Sequence, residues 1–451
     1  MRRIEIMKNI GLSYLLLLTG LALLWLIAES SSPGSSGFRA LQLSMINLTG
    51  ILAIGCMSAG IFIAIRPTSV ERFLGGLDKM YRLHKWLGIS ALLLSTVHWL
   101  SAKSPNWLIG LGWMQRPSRD PGLSRAVVPS GLLRILDAQH GLAKGIGEWA
   151  FYATVAIVVV ALLKAFPYRH FFKMHRLLAV VYPLLAFHAV VLMKHSYWTT
   201  ALGPAIALLI FMALLATSVL LLRLVGRTRR AAGHIENLVH YRDMRVLSIV
   251  IKLKDHWLGH AAGQFAFVTF NRDEGAHPFT ISSAWHDDGK VRFHIKSIGD
   301  YTEQLPAVLK AGDQVSVEGP YGRFDFRSDK QRQIWIAGGI GITPFLARMQ
   351  ARERHSDKHA VDLFFSTNAM DEEFAREVDQ LAIAASVRLH VLISGRDDRL
   401  TGQRLREIVP DWMCSDVWFC GPASFGRSLR QDLIAHGLAH QDFHQELFDM
   451  R

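Results

Sequence analysis

The chain has 451 residues, more than one ordinary domain holds, so its length predicts two or three domains. Its 50 lysine and arginine residues exceed its 37 acidic residues and give a formal net charge of +13. The basic residues cluster between long apolar runs, as in membrane proteins, so the charge reflects membrane topology and not nucleic-acid binding. The 3 cysteines lack CxxC spacing, which excludes a disulfide framework and a CxxC metal site.

The first half of the chain consists of apolar runs long enough to cross a bilayer. A hydrocarbon core about 30 Å thick needs roughly 20 apolar residues in a helix. No small-residue cleavage site follows the first run, so we expect a membrane span there and not a cleaved signal peptide. Six runs have the required length, namely residues 10–28, 42–65, 84–101, 146–166, 171–193 and 199–224.

Basic residues between these runs predict which ends face the cytoplasm. Residues 66–85 carry five lysines and arginines and residues 164–176 carry four, whereas residues 29–41 and 194–198 carry one each. By the positive-inside rule, both termini lie in the cytoplasm. The connection 102–145 has six basic residues, but they are spread thinly and partly balanced by acids. We therefore expect a multi-pass protein of the plasma membrane, in a bacterium the inner membrane.

Four histidines lie inside two of the predicted membrane helices. The third helix carries His84 and His98, and the fifth carries His175 and His188. At 1.5 Å per residue, the histidines of each helix are about 21 Å and about 19.5 Å apart along the axis, so they form two pairs at matched depths. Histidine is costly in a bilayer and imidazole suits iron, so the pattern predicts an inner haem on His84 and His175 and an outer haem on His98 and His188. The alternative, histidines that only hydrogen-bond between helices, accounts poorly for four at matched depths.

Helical phase leaves one alternative ligand open. The fourteen-residue spacing in the third helix returns both histidines to within about 40° of one face, whereas thirteen residues leave His188 about 140° from His175. Pro183 lies between them and can distort the helix. His170 is in better phase with His188 but about 27 Å away, so His175 is the predicted ligand and His170 the alternative. His140, in the outer connection, has no such partner and is interpreted as a surface residue.

The second half of the chain has the pattern of two smaller domains. Short strands between turn residues predict an antiparallel barrel, and apolar strands alternating with helical stretches predict a doubly wound parallel sheet. The predicted domains are 1–228, 229–328 and 329–451. The predicted barrel strands are 247–253, 265–270, 291–295 and 314–318, and the predicted parallel strands are 334–337, 361–365, 388–393 and 416–420.

Three segments of the predicted barrel suit a flavin dinucleotide, although each alone is also typical of an ordinary turn or strand end. In 277–282 (HPFTIS), an aromatic can cover a flavin ring and a hydroxyl can bond its N5 edge. In 294–302 (HIKSIGDYT), a cation, a glycine and a hydroxyl suit a pyrophosphate. Residues 319–322 (GPYG) predict a tight turn. The candidate cofactor-binding residues are His277, Pro278, Phe279, Thr280, Ile281, Ser282, His294, Lys296, Gly299, Thr302 and Gly322.

Two segments of the predicted parallel sheet suit a nicotinamide dinucleotide. Residues 338–344 (GGIGITP) read as a glycine turn and a helix with Thr343 as N-cap and Pro344 as first residue, which suits a pyrophosphate. The spacing of these glycines differs from the GxGxxG fingerprint, so by itself it is weak evidence for a dinucleotide site. Residues 420–422 (CGP) end a strand at the carboxyl edge, where such sheets bind ligands. The candidate residues are Gly338, Gly339, Gly341, Thr343, Pro344, Cys420, Gly421 and Pro422.

Jointly, in this order, the histidine pairs and these motifs resemble the ferric reductase and NADPH oxidase superfamily over nearly the whole chain. The resemblance implies a six-helix transmembrane haem-binding bundle, all α, followed by a ferredoxin–NADP reductase-like module with an antiparallel β-barrel FAD domain and a doubly wound α/β nucleotide domain. It implies two b-type haems, FAD and NAD(P)H as cofactors, with Phe279 stacked on FAD. The tail at 446–448 is similar to the family's terminal acid-x-aromatic. The candidate catalytic residues are Thr280, Cys420, Glu446 and Phe448.

Three departures from the family pattern bear on function. The strand 361–365 is followed by residues 366–368 (STN), without the arginine that NADP-selective relatives often have, which leaves NADPH or NADH open, with Arg396 as a substitute. Asn47 stands at the level where animal-type superoxide producers have a buried arginine. There is no calcium-binding extension, so we expect no regulation by added domains.

The layout predicts electron flow from NAD(P)H through FAD and the inner and outer haems to an acceptor outside. Three functions are compatible with it. The first is a reductase of a ferric complex, another metal or a periplasmic protein. The second is a bacterial NADPH oxidase that makes superoxide. The third is a membrane transporter or haem-binding sensor with a degenerate reductase tail, against which the intact motifs argue. Neither a nucleic acid nor an obligatory protein partner is expected.

Overall fold

A computed structural model describes residues 2–30, 37–113, 132–162, 173–254, 257–354 and 359–446. The chain divides into two compact units. The helical unit consists of Lys8–Leu74 and Lys79–Val225, and the α/β unit consists of Gly226–Arg451 with the short segments Met1–Met7 and Gly75–Asp78.

The helical unit is built from long apolar helices joined by short ones. Many of their leucines are exposed, including Leu15, Leu16 and Leu23 of the first helix. A helix that is apolar on all sides is typical of a membrane span. The helices are α1 (Arg2–Ser30), α2 (Phe38–Ala64), α3 (Thr68–Leu74), α4 (Leu77–Gly110), α5 (Leu132–Ala138), α6 (His140–Leu162), α7 (Leu178–Leu192), α8 (His195–Trp198) and α9 (Leu202–Leu221).

Five helices of the described residues are long and apolar enough to cross a membrane. They agree with five of the six predicted runs. The other run, 84–101, lies within the 34-residue helix α4, where Ser90, Ser95, Thr96 and His98 interrupt the apolar stretch. A sixth span therefore stays a prediction. The five candidate spans are Ile10–Ser30, Phe38–Ala64, His140–Ala161, Lys173–Leu192 and Leu202–Leu221.

The predicted connection 102–145 is more helical than expected. It contains the end of α4, the short helix α5 and the start of α6. His140 is thus the first residue of a long helix and not part of an extended connection, and its Nε2 lies 3.6 Å from Oδ1 of Asp137.

The α/β unit begins with a six-stranded antiparallel sheet. The two edge strands approach each other through a bridge between Ile281 and Phe293, which closes the sheet towards a barrel. The four predicted strands are present. Two further strands of the sheet were not predicted. The strand Arg230–Tyr241 has small residues near its start, and the strand His277–Thr280 begins with His-Pro. The elements are β1 (Arg230–Tyr241), β2 (Val246–Leu253), β3 (Phe265–Thr269), β4 (His277–Thr280), β5 (Lys290–Lys296), α10 (Asp300–Val308) and β6 (Gln314–Tyr321), in the strand order β4-β3-β6-β1-β2-β5.

A five-stranded parallel sheet with intervening helices completes the unit, as predicted. The two strands Arg332–Gly338 and Ser415–Cys420 are almost wholly buried, which explains their largely apolar sequences. The last strand was not predicted, since only three residues pair. The elements are β7 (Arg332–Gly338), α11 (Thr343–Arg354), β8 (Ala360–Thr367), α12 (Glu372–Ala384), β9 (Val387–Ile393), α13 (Gly402–Ile408), β10 (Ser415–Cys420), α14 (Ala423–Ala435) and β11 (Phe443–Gln445), in the strand order β11-β10-β7-β8-β9.

Candidate functional site

The four histidines singled out in the sequence form two pairs in the helical unit. The ring centroids of His84 and His175 lie 5.8 Å apart with an interplanar angle of 75°, and those of His98 and His188 lie 6.1 Å apart at 81°. A metal–imidazole bond is about 2 Å long, and the bound nitrogen lies about 1 Å from the centre of its ring. When two imidazoles bind one metal from opposite sides, their ring centroids are therefore about 6 Å apart. Both pairs have this spacing.

Backbone carbonyls orient three of these four imidazoles through Nδ1. A carbonyl oxygen only accepts a hydrogen bond, so Nδ1 carries the proton and donates it, and Nε2 keeps its lone pair. Metal-binding histidines are commonly held in this way. The three distances are 2.9 Å from His84 to Gly60, 2.9 Å from His98 to Ile46 and 2.8 Å from His188 to Ala143.

The donor set of each pair fits a haem better than a bare metal ion. Among the residues that the structure describes, no group of three or more His, Cys, Asp or Glu side chains is placed to hold a metal ion. Two imidazoles on opposite sides complete the coordination of an iron whose other ligands come from a porphyrin. The residues therefore fit the predicted bis-histidine haems.

Glycines on neighbouring helices make room for two of these rings. A Cβ atom at Gly147 of α6 would lie 1.9 Å from Nδ1 of His188, and one at Gly50 of α2 would lie 3.1 Å from Nδ1 of His98. Neither position was predicted, because the sequence alone gives no information on which residue of a neighbouring helix faces a histidine.

The helix that carries His175 and His188 is not uniform. A turn at Leu177 precedes α7, and the amide of Leu177 bonds the carbonyl of Met174, three residues earlier, at 3.0 Å. Such a turn rotates the chain by about 120° per residue, where an α-helix rotates it by about 100°. Both histidines reach their partners on α4 despite the poor phase of an ideal helix. His170, the alternative ligand, lies outside the described residues.

Aromatic rings bring two of the three predicted flavin segments of the barrel together. The ring of His277, on β4, stacks on that of Tyr301 at 4.3 Å between centroids. Phe279 and Thr280 follow on the same strand, with Phe279 half-buried and Thr280 8% exposed. Burial raises the pKa of the Tyr301 phenol to about 12 and lowers the pKa of His277. Tyr301 was absent from the candidate residues, although it lies within the predicted segment.

Three of the candidate flavin residues are buried. Ile281 and Ser282 are fully buried and His294 is 3% exposed. Nδ1 of His294 lies 2.7 Å from Oγ of Ser282, which ties β5 to the segment after β4. Burial, with a smaller effect of Arg292, lowers the pKa of His294 to about 3, so the ring is neutral. Ile281 belongs to the barrel core, whereas the ring of His294 lies on the opposite face of β5, against Phe374.

The rest of the segment 294–302 forms the start of a helix that was not predicted. Oγ1 of Thr302 accepts hydrogen bonds from the amides of Ile298 and Gly299 at 3.0 and 3.2 Å. A Cβ atom at Gly299 would meet nothing within 4 Å. Nζ of Lys296 lies 3.7 Å from the place of a Cβ atom at Gly339. The flavin segment therefore adjoins the glycine turn of the parallel sheet.

The glycines of the two nucleotide motifs allow their backbones to touch. A Cβ atom at Gly341 would lie 2.1 Å from the carbonyl oxygen of Cys420, and one at Gly338 would lie 2.7 Å from Cδ of Pro422. A Cβ atom at Gly421 would lie 2.9 Å from Cα of Gly338. The ends of β7 and β10 are thus packed closely at the carboxyl edge of the sheet.

Thr343 does not act as the predicted N-cap. A 3-10 turn over Gly339–Ile342 runs directly into α11, so Thr343 already has helical dihedral angles. Its hydroxyl donates to the carbonyl of Ile340 at 3.1 Å instead of accepting from a helix amide. Pro344 is consequently the second residue of the helix.

Three of the four candidate catalytic residues lie close together. A Cβ atom at Gly322 would lie 3.2 Å from Oε1 of Glu446 and 3.1 Å from the ring of Phe265, which pairs with Thr280 in the sheet. Burial, with the nearby carboxylate of Glu446, raises the pKa of the Cys420 thiol well above its usual value. Phe448, the fourth, lies outside the described residues.

We expect alkylation to distinguish two cysteines in the folded protein. Cys420 is fully buried and protonated at neutral pH, whereas Cys414 is exposed. The thiolate is the reactive form of a cysteine. Iodoacetamide at pH 7.5 should therefore modify Cys414 and spare Cys420, as peptide mass spectrometry can measure, while both react after unfolding. Rapid modification of Cys420 in the native chain would contradict its assigned environment.

The residues considered for NADP selection lie at the carboxyl edge of the same sheet. Oγ of Ser394 donates to Oδ1 of Asn368 at 3.1 Å, which joins the ends of β8 and β9. The exposed guanidinium of Arg396 pairs with Asp397 at 3.2 Å. Arg396 is thus on the edge where the resemblance expects a 2′-phosphate partner.

Comparison with known proteins supports both halves of this architecture. Residues 49–186 match the family described as ferric reductase like transmembrane component, and residues 235–326 match the oxidoreductase FAD-binding domain. The chain is 25% identical over 198 residues to a CDP-6-deoxy-L-threo-D-glycero-4-hexulose-3-dehydrase reductase of Yersinia pestis. It is 28% identical over 201 residues to the phenol hydroxylase P5 protein of Acinetobacter pittii. Both alignments cover 42% of this chain, and they span 60% and 57% of the two relatives.

Among solved structures, the flavohemoglobin from Malassezia yamatoensis is 16% identical, with a TM-score of 0.47 over 91% of this chain and 97% of that chain. The chain thus combines a segment that matches the ferric reductase like transmembrane component with a segment that matches the oxidoreductase FAD-binding domain.

Proposed function

We propose that this chain is an NAD(P)H-dependent flavocytochrome b that transfers electrons across a membrane through FAD and two b-type haems to an acceptor on the outer face. The observation that carries the proposal is the spacing of the two histidine pairs, 5.8 and 6.1 Å between ring centroids. Three of the four histidines lie within the region that matches the ferric reductase family. The carbonyl contacts at Nδ1 leave Nε2 of three rings for iron.

In this proposal each domain has one task. Residues 1–228 hold the haems, with His84 and His175 as the inner pair and His98 and His188 as the outer pair. Residues 229–328 bind FAD, and residues 329–451 bind NAD(P)H. Bound FAD supplies the conversion of a two-electron hydride donor into a one-electron donor. The protein orients the donors and excludes water along the path.

The proposed topology has six spans, with α4 as the third, and both termini in the cytoplasm. Its support is the concentration of lysines and arginines in 66–85 and 164–176. The α/β unit then faces the cytoplasm, where NAD(P)H is available. In a bacterium this places the chain in the inner membrane.

A ferric complex, another metal or a periplasmic protein is the proposed acceptor. Asn47 supports this choice. It follows Ile46, whose carbonyl orients His98, so it is close in sequence to the proposed outer haem site. Its side chain is uncharged and therefore offers no positive charge to stabilise an anion formed from oxygen. Superoxide production is the alternative within the same class. A sensor or transporter with an inactive reductase tail is the alternative outside it.

Spectroscopy of the purified full chain tests the proposal. We expect close to two haems and one FAD per chain, low-spin six-coordinate bands, and reduction of flavin and haem by NADH or NADPH without oxygen. Iron reduction that persists without oxygen supports a metal acceptor, whereas cytochrome c reduction abolished by superoxide dismutase supports oxygen. A folded chain that binds FAD and no haem overturns the proposal. Bound cofactors that NAD(P)H cannot reduce indicate a sensor or transporter.

A further inference from the structure

One face of β5 lies against the parallel-sheet domain. Arg292, His294 and Lys296 share this face, because alternate residues of a strand point to the same side. Nη1 of Arg292 donates to Oε1 of Glu377, on α12, at 2.6 Å. The ring of His294 meets Phe374 of the same helix edge-on at 5.7 Å. Lys296, the third residue on this face, lies beside the glycine turn that follows β7, with Nζ 3.7 Å from the place of a Cβ atom at Gly339.

Glu377 receives a second hydrogen bond from a different strand of the barrel. The hydroxyl of Tyr241, at the end of β1, donates to Oε2 of Glu377 at 3.0 Å. Burial and the carboxylate of Glu377 raise the pKa of Tyr241, so the phenol keeps the proton that it donates. The side chains of Arg292 and Glu377 are 34% and 26% exposed, so water screens their ion pair only in part. The two oxygens of the Glu377 carboxylate therefore bind two different barrel strands, β5 through Arg292 and β1 through Tyr241.

We infer that Glu377 is a positioning residue for hydride transfer. The inference rests on the proposed function, in which the barrel holds FAD and the parallel-sheet domain holds NAD(P)H. Hydride transfer needs reacting atoms about 3–3.5 Å apart, so the register between the two domains sets the rate. Glu377 fixes that register at β5, the strand that leads into the predicted pyrophosphate segment at 294–302.

Other contacts hold the two domains together independently of Glu377. The amide of Met244 donates to Oδ2 of Asp371 at 2.9 Å, and the amide of Ala284 donates to Oε1 of Gln350 at 2.9 Å. Met244 and Tyr241 also belong to the buried core that contains Phe374. Loss of the Glu377 carboxylate should therefore alter the alignment of the domains without separating them.

Flavin reduction in the full-length variant Glu377→Gln tests the inference. In anaerobic stopped-flow experiments with NADH and NADPH, we expect the limiting rate to fall about 10- to 100-fold, because small misplacements are costly in such reactions. FAD content and Tm should match the wild type. With the 4-deuterated nucleotides, the isotope effect on the limiting rate should increase, since hydride transfer then limits the reaction. Asp379→Asn, which neutralises an exposed acid on the same helix, should behave as the wild type.

Two further variants test whether the slower flavin reduction comes from the hydrogen bonds of Glu377 to Tyr241 and Arg292. Tyr241→Phe, which removes one donor and no charge, should show a smaller loss in the same direction. Arg292→Gln should slow flavin reduction alone but add nothing in the Glu377→Gln background, since the pair is already broken.

Three outcomes would overturn the role of Glu377. These are a limiting rate within twofold of wild type, a change confined to nucleotide affinity, and a parallel loss of FAD and thermal stability in both Glu377→Gln and Tyr241→Phe. A wild-type chain whose bound FAD is not reduced by NAD(P)H overturns the proposed function and this role with it. A normally reduced wild type with an equally fast variant overturns the role alone.

Discussion

Replacing His98 with alanine is expected to leave one haem per chain instead of two and to stop delivery of electrons to the outer face. The His98 ring lies 6.1 Å from that of His188, so its removal would take away one of the two imidazoles that would hold the proposed outer haem. NAD(P)H should still reduce FAD and the inner haem, whose proposed ligands are His84 and His175. Haem quantification per chain and stopped-flow spectra of flavin and haem measure both halves of this result.

The matched control for this variant is His140→Ala. His140 is the first residue of α6 and belongs to neither pair, so both haems and electron delivery should be retained. Normal delivery in the His98→Ala chain would contradict the path through two haems. Loss of flavin reduction in that chain would show damage beyond the proposed outer site.

A single methyl group at position 147 is expected to weaken binding of the outer haem. In Gly147→Ala, Cβ would lie 1.9 Å from Nδ1 of His188, so the ring must move away from the carbonyl of Ala143. Loss of such a supporting hydrogen bond typically lowers metal affinity about 10- to 100-fold, and displacement of the ring adds to this loss. Haem titration and the haem content of the purified chain measure the effect.

Gly145→Ala provides a close control on the same helix. A Cβ atom at Gly145 would meet nothing within 4 Å, and both substitutions bring the same gain in helix propensity, about 1 kcal/mol. Gly145→Ala should therefore keep two haems. Equal haem affinity in the two variants would contradict the position assigned to His188.

The elements that the sequence predicted well are those with a single strong pattern. The strands β7, β8 and β10 are mostly buried and rich in apolar residues, and the motifs that follow β7 and β10 are located directly by that assignment. Strand β1 was missed because its inward residues begin with Ala231 and Gly233, which have weak strand preferences. Thr343 was assigned as a cap because the sequence did not reveal that a 3-10 turn continues into α11.

The histidine pairs illustrate what a single sequence can and cannot supply. Their depths follow from residue counting along two helices, and the pairing agrees with that count. The rotation of His175 relative to His188 could not be predicted from the sequence, because a turn at Leu177 interrupts the regular helix between them. Gly147 and Glu377 depend on neighbours far away in the chain, so only the folded structure associates them with the site.

The fourteen-residue spacing of His84 and His98 along α4 has an electrical consequence. An electron that passes from one depth of the membrane to another carries its charge through the transmembrane field. Complete crossing of the field corresponds to about 2.3 kcal/mol for every 100 mV of membrane potential. In the proposed direction, a cell interior that is negative drives the electron outward, so the energised membrane would itself favour turnover and each cycle would partly discharge it.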